Sequence, residues 1–266
     1  ANGPLAGKDL PWLVEHHAEE LFGSSSSENQ SLLTSAATSG NRFPWLIKIL
    51  DAREKLSLQV HPPAEIAAEL SGEPKTEMWY FTAAEPGADI FVGLKRGVTR
   101  KEFERKTADG SVADCFHRIE VQPGDCMFLR SGRVHALGAG SVIFEIQQNS
   151  DTTYRVFDWN RVGLDGKPRE LHLEKSLRSI DFNDFEPALA KPDWRETSAG
   201  RQRTLVNDPL FRVDELQLNA GTAWAPPARM LHVLAVVACE VVVNGGAHDV
   251  TLRAGSSCML PAWLSI

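Results

Sequence analysis

The segment LSLQVHPP, residues 56–63, decides how the rest of the chain is read. In a strand, successive side chains alternate between faces. Leu56, Leu58 and Val60 then point one way, and Ser57, Gln59 and His61 the other. Gln59 and His61 therefore share a face, about 7 Å apart along the strand. Two polar groups on the inner face of a sheet require a partner, because burial without one is costly. A metal ion is one such partner. Pro62 and Pro63 end the strand, since proline has no N–H to give a ladder.

Outward from this segment the chain carries many short β-rich runs between Gly and Pro punctuation: LIKIL (46–50), EMWYF (77–81), DIFVGL (89–94), DCMFLR (125–130), SVIFEIQQ (141–148) and TYRVFDW (153–159). Such spacing predicts a sandwich or barrel. One helix interrupts it at VTRKEFERK (98–106), with Thr99 placed as N-cap and Glu102 three residues later. Ahead of the strands, LPWLVEHHAEELF (10–22) has helical periodicity with Leu13, His17 and Leu21 on one side, and Ser24 to Gln30 reads as a loop. Residues 161–200 are rich in charge, Pro and Gly. After them the β pattern returns in LFRVDELQL (210–218), LHVLAVVA (231–238), EVVVNG (240–245) and SCMLPA (257–262). This second stretch echoes the first: 79–94 parallels 232–246, and GDCMFLRSG (124–132) parallels GSSCMLPAW (255–263). Two related β modules in tandem account for the echo. The expected division is 1–165 for a metal-binding module with its preceding helix and loop, 166–199 for a connector, and 200–266 for a second, metal-free module.

The bulk composition narrows the class. The formal net charge of −7 argues against a broad nucleic-acid footprint, which needs a basic surface. No apolar run reaches the roughly 18 residues a membrane span needs. Ala1-Asn2-Gly3-Pro4 shows no charged leader before an apolar stretch, so no secretory signal is expected. Cys115, Cys126, Cys239 and Cys258 are widely spaced without a CxxC pair and read as reduced thiols, most of them buried, in a cytoplasmic protein.

Two further residues join Gln59 and His61. Glu77 opens EMWYF, and His135 follows a tight Gly132-Arg133-Val134 turn after a strand that begins at Pro123-Gly124-Asp125. Two imidazoles, a carboxylate and an amide oxygen suit Zn²⁺, and also Mn²⁺, Fe²⁺ or Co²⁺, and leave room for a water or substrate oxygen. His16, His17, His117, His172, His232 and His248 sit in no ligand spacing.

QxH on one strand, a Glu after a short connection and a later PGD…GxxH form a cupin pattern. The segments FPWLIKILDA (43–52), LSLQVHPP (56–63), KTEMWYF (75–81), PGDCMFLRSGRVHA (123–136), FEIQQNSDTTYRVFDW (144–159) and LPA (260–262) resemble the type I mannose-6-phosphate isomerases in their short bacterial form. The resemblance implies a mainly β double cupin with a few short helices, whose first module binds one Zn²⁺ through Gln59, His61, Glu77 and His135. It places the family's lysine on Lys75, and its glutamate and arginine on Glu145 and Arg155. The implied reaction interconverts mannose 6-phosphate and fructose 6-phosphate, so the implied partner is a small phosphosugar, with neither nucleic acid nor membrane. Arg130 departs from the family, which usually has proline two positions before Gly132. The second module has no counterpart of the ligands and is expected to be structural. Two other readings share the pattern: an iron-dependent cupin dioxygenase, and a non-catalytic sugar-binding or regulatory bicupin. Lys75, Glu145 and Arg155 favour the isomerase.

Hydrogen transfer between C1 and C2 of a sugar passes through an enediol and needs a base on carbon, for which Glu145 and Lys75 are the candidates. SVIFEIQQ and TYRVFDW flank the turn-rich Asn149-Ser150-Asp151. A hairpin folded about Ser150 sets Glu145 opposite Arg155 and Gln147 opposite Thr153, on a polar face that looks toward the metal.

Overall fold

The computed structural model describes residues 5–23, 42–163, 166–244 and 249–264. The serine-rich run Ser24 to Gln30 and His248 lie outside them. The chain is mainly β and divides into two compact units, Trp45–Lys191 and Ala1–Pro44 with Pro192–Ile266.

Among the described residues the Trp45–Lys191 unit contains nine strands: β1 Trp45–Ala52, β2 Leu58–Val60, β3 Glu77–Ala84, β4 Asp89–Leu94, β5 Phe116–Glu120, β6 Cys126–Leu129, β7 His135–Leu137, β8 Ser141–Gln148 and β9 Tyr154–Phe157. They form a four-stranded sheet in the order β1-β8-β3-β6 and a five-stranded sheet in the order β5-β4-β7-β2-β9. Every pairing is antiparallel. The period of two along each strand sorts residues into two layers. Trp79, Phe81, Met127, Leu129 and Ile143 of the first sheet pack with Ile90, Val92 and Leu137 of the second in one buried cluster. Leu58, Val60, Val134, Ala136, Tyr154 and Val156 point to the other side of the second sheet. There they meet Phe103 and Leu177 from two helices, Arg100–Asp109 and Leu173–Ser179. Thr99 caps the first of these, accepting from the Glu102 N–H at 3.2 Å.

Among the described residues the other unit holds the helices Leu10–His16 and Ala18–Phe22 and seven strands: β10 Arg195–Thr197, β11 Gly200–Asp208, β12 Phe211–Leu218, β13 His232–Ala235, β14 Glu240–Asn244, β15 Asp249–Arg253 and β16 Ser257–Leu260. They make three small sheets, β10-β11-β12, β13-β16 and β14-β15. The internal echo of the sequence has a counterpart in strand pairing. β3 pairs with β6 and β4 with β5, and in the second unit β13 pairs with β16 and β14 with β15.

Several expectations are corrected. The helix read over 10–22 breaks at His17, whose φ of −138° and ψ of 34° are not helical. Its buried face keeps Leu13 and Leu21. The N-terminal segment groups with residues beyond 192 rather than with the 45–165 stretch, because the Glu20 and Leu21 carbonyls accept from the Trp263 and Ala262 N–H groups. The region 166–199 is not a bare connector. It contains the Leu173–Ser179 helix and β10, and its part up to Lys191 packs on the first unit. Of the four free cysteines, Cys115 and Cys126 are buried, Cys258 is half-buried and Cys239 is exposed. Among the described residues, no helix is long and apolar enough to cross a membrane.

Candidate metal centre

The two sheets of the Trp45–Lys191 unit deliver the ligand residues toward each other. In the first, Glu77 lies opposite Gln147, Trp79 opposite Glu145, and Glu145 opposite Lys48, so all five share one face. In the second, Gln59 lies opposite both His135 and Arg155, so these three share a face. His61, two residues beyond Gln59, follows the end of β2 at Val60. The Pro62-Pro63 pair stops the strand there, as its missing N–H groups require.

His61, Glu77 and His135 are buried to 1%, 0% and 1% exposure, and their ligand atoms all lie within 4.8 Å of one another. Glu77 Oε2 is 3.5 Å from His61 Nε2, and Glu77 Oε1 is 3.2 Å from His135 Nε2. Both imidazoles spend Nδ1 on a backbone carbonyl: His61 on Thr152 O at 2.8 Å, His135 on Arg133 O at 2.9 Å. A neutral ring that donates from Nδ1 presents a bare Nε2 lone pair, the form in which imidazole ligates. Burial lowers the His61 pKa to about 4, against the pull of adjacent Glu77, so this ring is neutral at neutral pH. Burial alone would raise the Glu77 carboxyl, but the neighbouring His61, His135 and Lys75 hold it well below the usual carboxylate range. Lys75, itself only 6% exposed, sits with Nζ 3.0 Å from Glu77 Oε2.

The donor set fits a divalent ion on one observation. His61 Nε2, Glu77 Oε1 and Glu77 Oε2 are buried and make no hydrogen bond of good geometry. The Lys75 ammonium meets one edge of the carboxylate, and a cation among His61 Nε2, His135 Nε2 and the Glu77 oxygens would satisfy the rest. Gln59 completes the set. Its amide Nε2 lies 3.3 Å from His135 Nε2, and a half-turn of the amide puts the oxygen at that point. All four residues read from the sequence are thus brought together. Trp79 stacks edge-on against His135, ring centroids 5.4 Å apart, and narrows the rotation of that ring.

Lys75, Glu145 and Arg155 occupy different surroundings. Glu145, 5% exposed, accepts from Lys48 Nζ at 2.9 Å and from Trp79 Nε1 at 3.0 Å. The Glu145–Arg155 hairpin does not form. β8 pairs with β1 and β3, whereas β9 pairs with β2 in the other sheet. The residues between β8 and β9 cross from one sheet to the other, held by Gln147 Nε2 donating to the Gln148 and Ser150 carbonyls at 2.9 Å each. Arg155 instead donates from Nη1 to Glu170 O at 2.8 Å, while its buried Nε has no hydrogen-bond partner among the described residues. Lys48 was not singled out by sequence. The available signal was a lone lysine inside the apolar run LIKIL.

A two-sheet β protein with a buried His/Glu/His cluster beside an amide has the donor set of a mononuclear metal site with a position left open. Comparison with known proteins specifies it further. The family model described as "Phosphomannose isomerase type I, catalytic domain" matches residues 14–80. A mannose-6-phosphate isomerase of Streptococcus mutans is 36% identical, the match covering 98% of this chain and 77% of the relative. ManA of Bacillus subtilis strain 168, also a mannose-6-phosphate isomerase, is 34% identical over 98% of this chain and 78% of its own. The crystal structure of a Bacillus subtilis mannose 6-phosphate isomerase superposes with a TM-score of 0.85 at 30% identity, covering 99% of this chain and 79% of that one. A zinc-bound mannose 6-phosphate isomerase structure shares the fold at a TM-score of 0.73 and 15% identity, over 97% of this chain and 81% of that one. The chain belongs to the type I mannose-6-phosphate isomerase family. These relatives do not favour the dioxygenase or the non-catalytic reading.

Proposed function

We propose that this chain interconverts mannose 6-phosphate and fructose 6-phosphate, with one zinc ion held by Gln59, His61, Glu77 and His135. The observation that carries the reading is the convergence of the buried His61, Glu77 and His135 ligand atoms within 4.8 Å, in a chain whose relatives are named for this reaction. A bound divalent ion supplies Lewis acidity for a sugar oxygen that gains negative charge. The two-sheet unit and the repeated strand pairing support a double-cupin architecture, with a metal-binding first module and a structural second one. The four free thiols support a cytoplasmic setting.

The remaining chemistry falls to side chains around the cluster. Isomerisation moves one proton between C1 and C2 and exchanges another between their oxygens, with no net oxidation. Glu145 is oriented at both oxygens, by Lys48 and by Trp79, which suits a carboxylate that must meet one carbon at a defined angle. Lys75 brings an ammonium to the edge of the ligand set, where it steadies an enediolate oxygen or a phosphate. The Arg155 Nε–H, buried and unpaired opposite Gln59, is a donor for an anionic substrate oxygen. A coupled assay following fructose 6-phosphate formation from mannose 6-phosphate, before and after chelation, tests the reading. Turnover abolished by chelator and restored by zinc supports it; equal turnover in stripped protein rejects it.

A further inference from the structure

Asp184 lies outside the ligand set, yet its side chain is only 6% exposed and faces two arginines. Arg133 donates to it with two prongs, Nε to Oδ2 at 2.7 Å and Nη2 to Oδ1 at 2.8 Å, and Arg130 Nη2 donates to Oδ1 at 3.1 Å. The remaining prong of Arg133, Nη1, donates to Phe128 O at 2.7 Å at the end of β6. The guanidinium is therefore fixed on two sides. Its backbone is fixed as well, because the Arg133 carbonyl is the acceptor for His135 Nδ1. The preceding Gly132, at φ 86°, donates its N–H to the His61 carbonyl at 2.9 Å and accepts from the Asp181 N–H at 2.9 Å. Asp184 is itself anchored by its backbone, its carbonyl accepting from the Leu94 N–H at 2.9 Å.

Burying a carboxylate between two guanidinium groups costs desolvation that a well-packed apolar contact would avoid. Such an arrangement is retained where it holds a geometry. The geometry here is the turn 132–134, which touches both histidine ligands: His61 through the Gly132 N–H, and His135 through the Arg133 carbonyl that fixes its ring and tautomer. We propose that Asp184 is a positioning residue for the metal ligand His135, acting through the Arg133 fork and the carbonyl of the same residue. The proposal rests on the metal reading of the His61, Glu77 and His135 cluster.

The test compares zinc affinity, by competition with a chromophoric chelator, and the visible absorption of the cobalt-substituted protein. The proteins are the intact chain, Asp184→Asn, which removes the charge at constant shape, and Arg133→Lys, which keeps the charge and removes the fork. The expected result is weaker zinc binding in both variants, by several-fold and at most the roughly 10–100-fold that outright loss of an outer partner of a ligating histidine costs, with a shifted cobalt band. Glu215→Gln is the comparison. It breaks an equally enclosed pair, with Arg203 Nη2 2.6 Å away in the other unit, and should lower the unfolding temperature while leaving zinc affinity unchanged. Affinities within about twofold of the intact chain and an unshifted cobalt band would overturn the proposal, as would equal weakening by Glu215→Gln. Should one variant fail to fold, the other still decides. An intact chain that takes up no zinc would instead reject the metal reading, and the clamp with it.

Discussion

The Lys48 ammonium donates to Glu145 Oε1 at 2.9 Å from the position directly across the β1–β8 ladder, and the same ammonium reaches Gln147 Oε1 at 2.7 Å. Trp79 Nε1 holds the second oxygen of Glu145. The carboxylate is thus fixed in rotation on the face that also carries Glu77. Under the proposed reaction this fixed carboxylate is the candidate acid or base.

Glu145→Gln keeps the shape and the acceptor for one neighbour but cannot take up a proton as a carboxylate does. The expected outcome is a fall in kcat of about 10²–10⁴, the usual worth of general acid–base catalysis, with zinc content and the folded state retained at a lowered unfolding temperature. Stopped assays on mannose 6-phosphate alongside metal analysis check this. A kcat near that of the intact chain would make the Lys48–Glu145–Trp79 set a structural network only.

Arg155→Ala removes a guanidinium whose Nε has no protein partner and whose strand lies beside Gln59. Loss of one charge-assisted hydrogen bond to the substrate corresponds to about 10–100-fold in kcat/KM. The metal and the fold should survive, because among the described residues Arg155 contributes one side-chain hydrogen bond, to Glu170 O. Near-normal kcat/KM in a folded, zinc-loaded variant would assign Arg155 to holding residues 169–172 against β9.

Acid stability follows from Asp158, which is 5% exposed. Burial pushes its carboxyl up, but hydrogen bonds from Arg169 and Arg161 overcome that and hold it below the ordinary aspartate range. A depressed folded pKa means the native state holds its proton less tightly than the unfolded chain does. The stabilisation is therefore complete above the unfolded value, near pH 4, and is lost as pH falls through the folded value. Thermal unfolding of the intact chain and of Asp158→Asn, both with chelator present, should show a steeper decline below about pH 4 in the intact chain. Parallel declines would mean that this carboxylate does not contribute to acid sensitivity.

How much of this was legible beforehand depends on what each residue required. Gln59 and His61 were readable because alternation in a three-residue strand depends only on local geometry, and Pro62-Pro63 marks where it stops. Glu77 and His135 came from the assembled motif, since nothing local to EMWYF or to the 132–134 turn says that they meet. The Glu145–Arg155 hairpin was wrong for a physical reason. A turn-rich triplet between two strands looks the same whether the chain reverses within a sheet or crosses to the facing one. Here it crosses, and the crossing segment supplies the Thr152 carbonyl to His61 Nδ1. Lys48 was hidden because its partners, Glu145 and Gln147, lie about a hundred residues away in sequence. Asp184 was hidden in a stretch read as connector, where only its tertiary contact with Arg133 gives it meaning.

The central claim is that one metal ion sits between the two sheets on ligands from both. Zinc content per chain in His61→Ala, measured beside the intact protein after equilibration with excess zinc and desalting, tests it most directly. About one zinc is expected per intact chain and near-complete loss in the variant, since Glu77, His135 and the weakly donating Gln59 amide would hold the ion with a single imidazole. A His61→Ala chain that retains its full complement of zinc would contradict it.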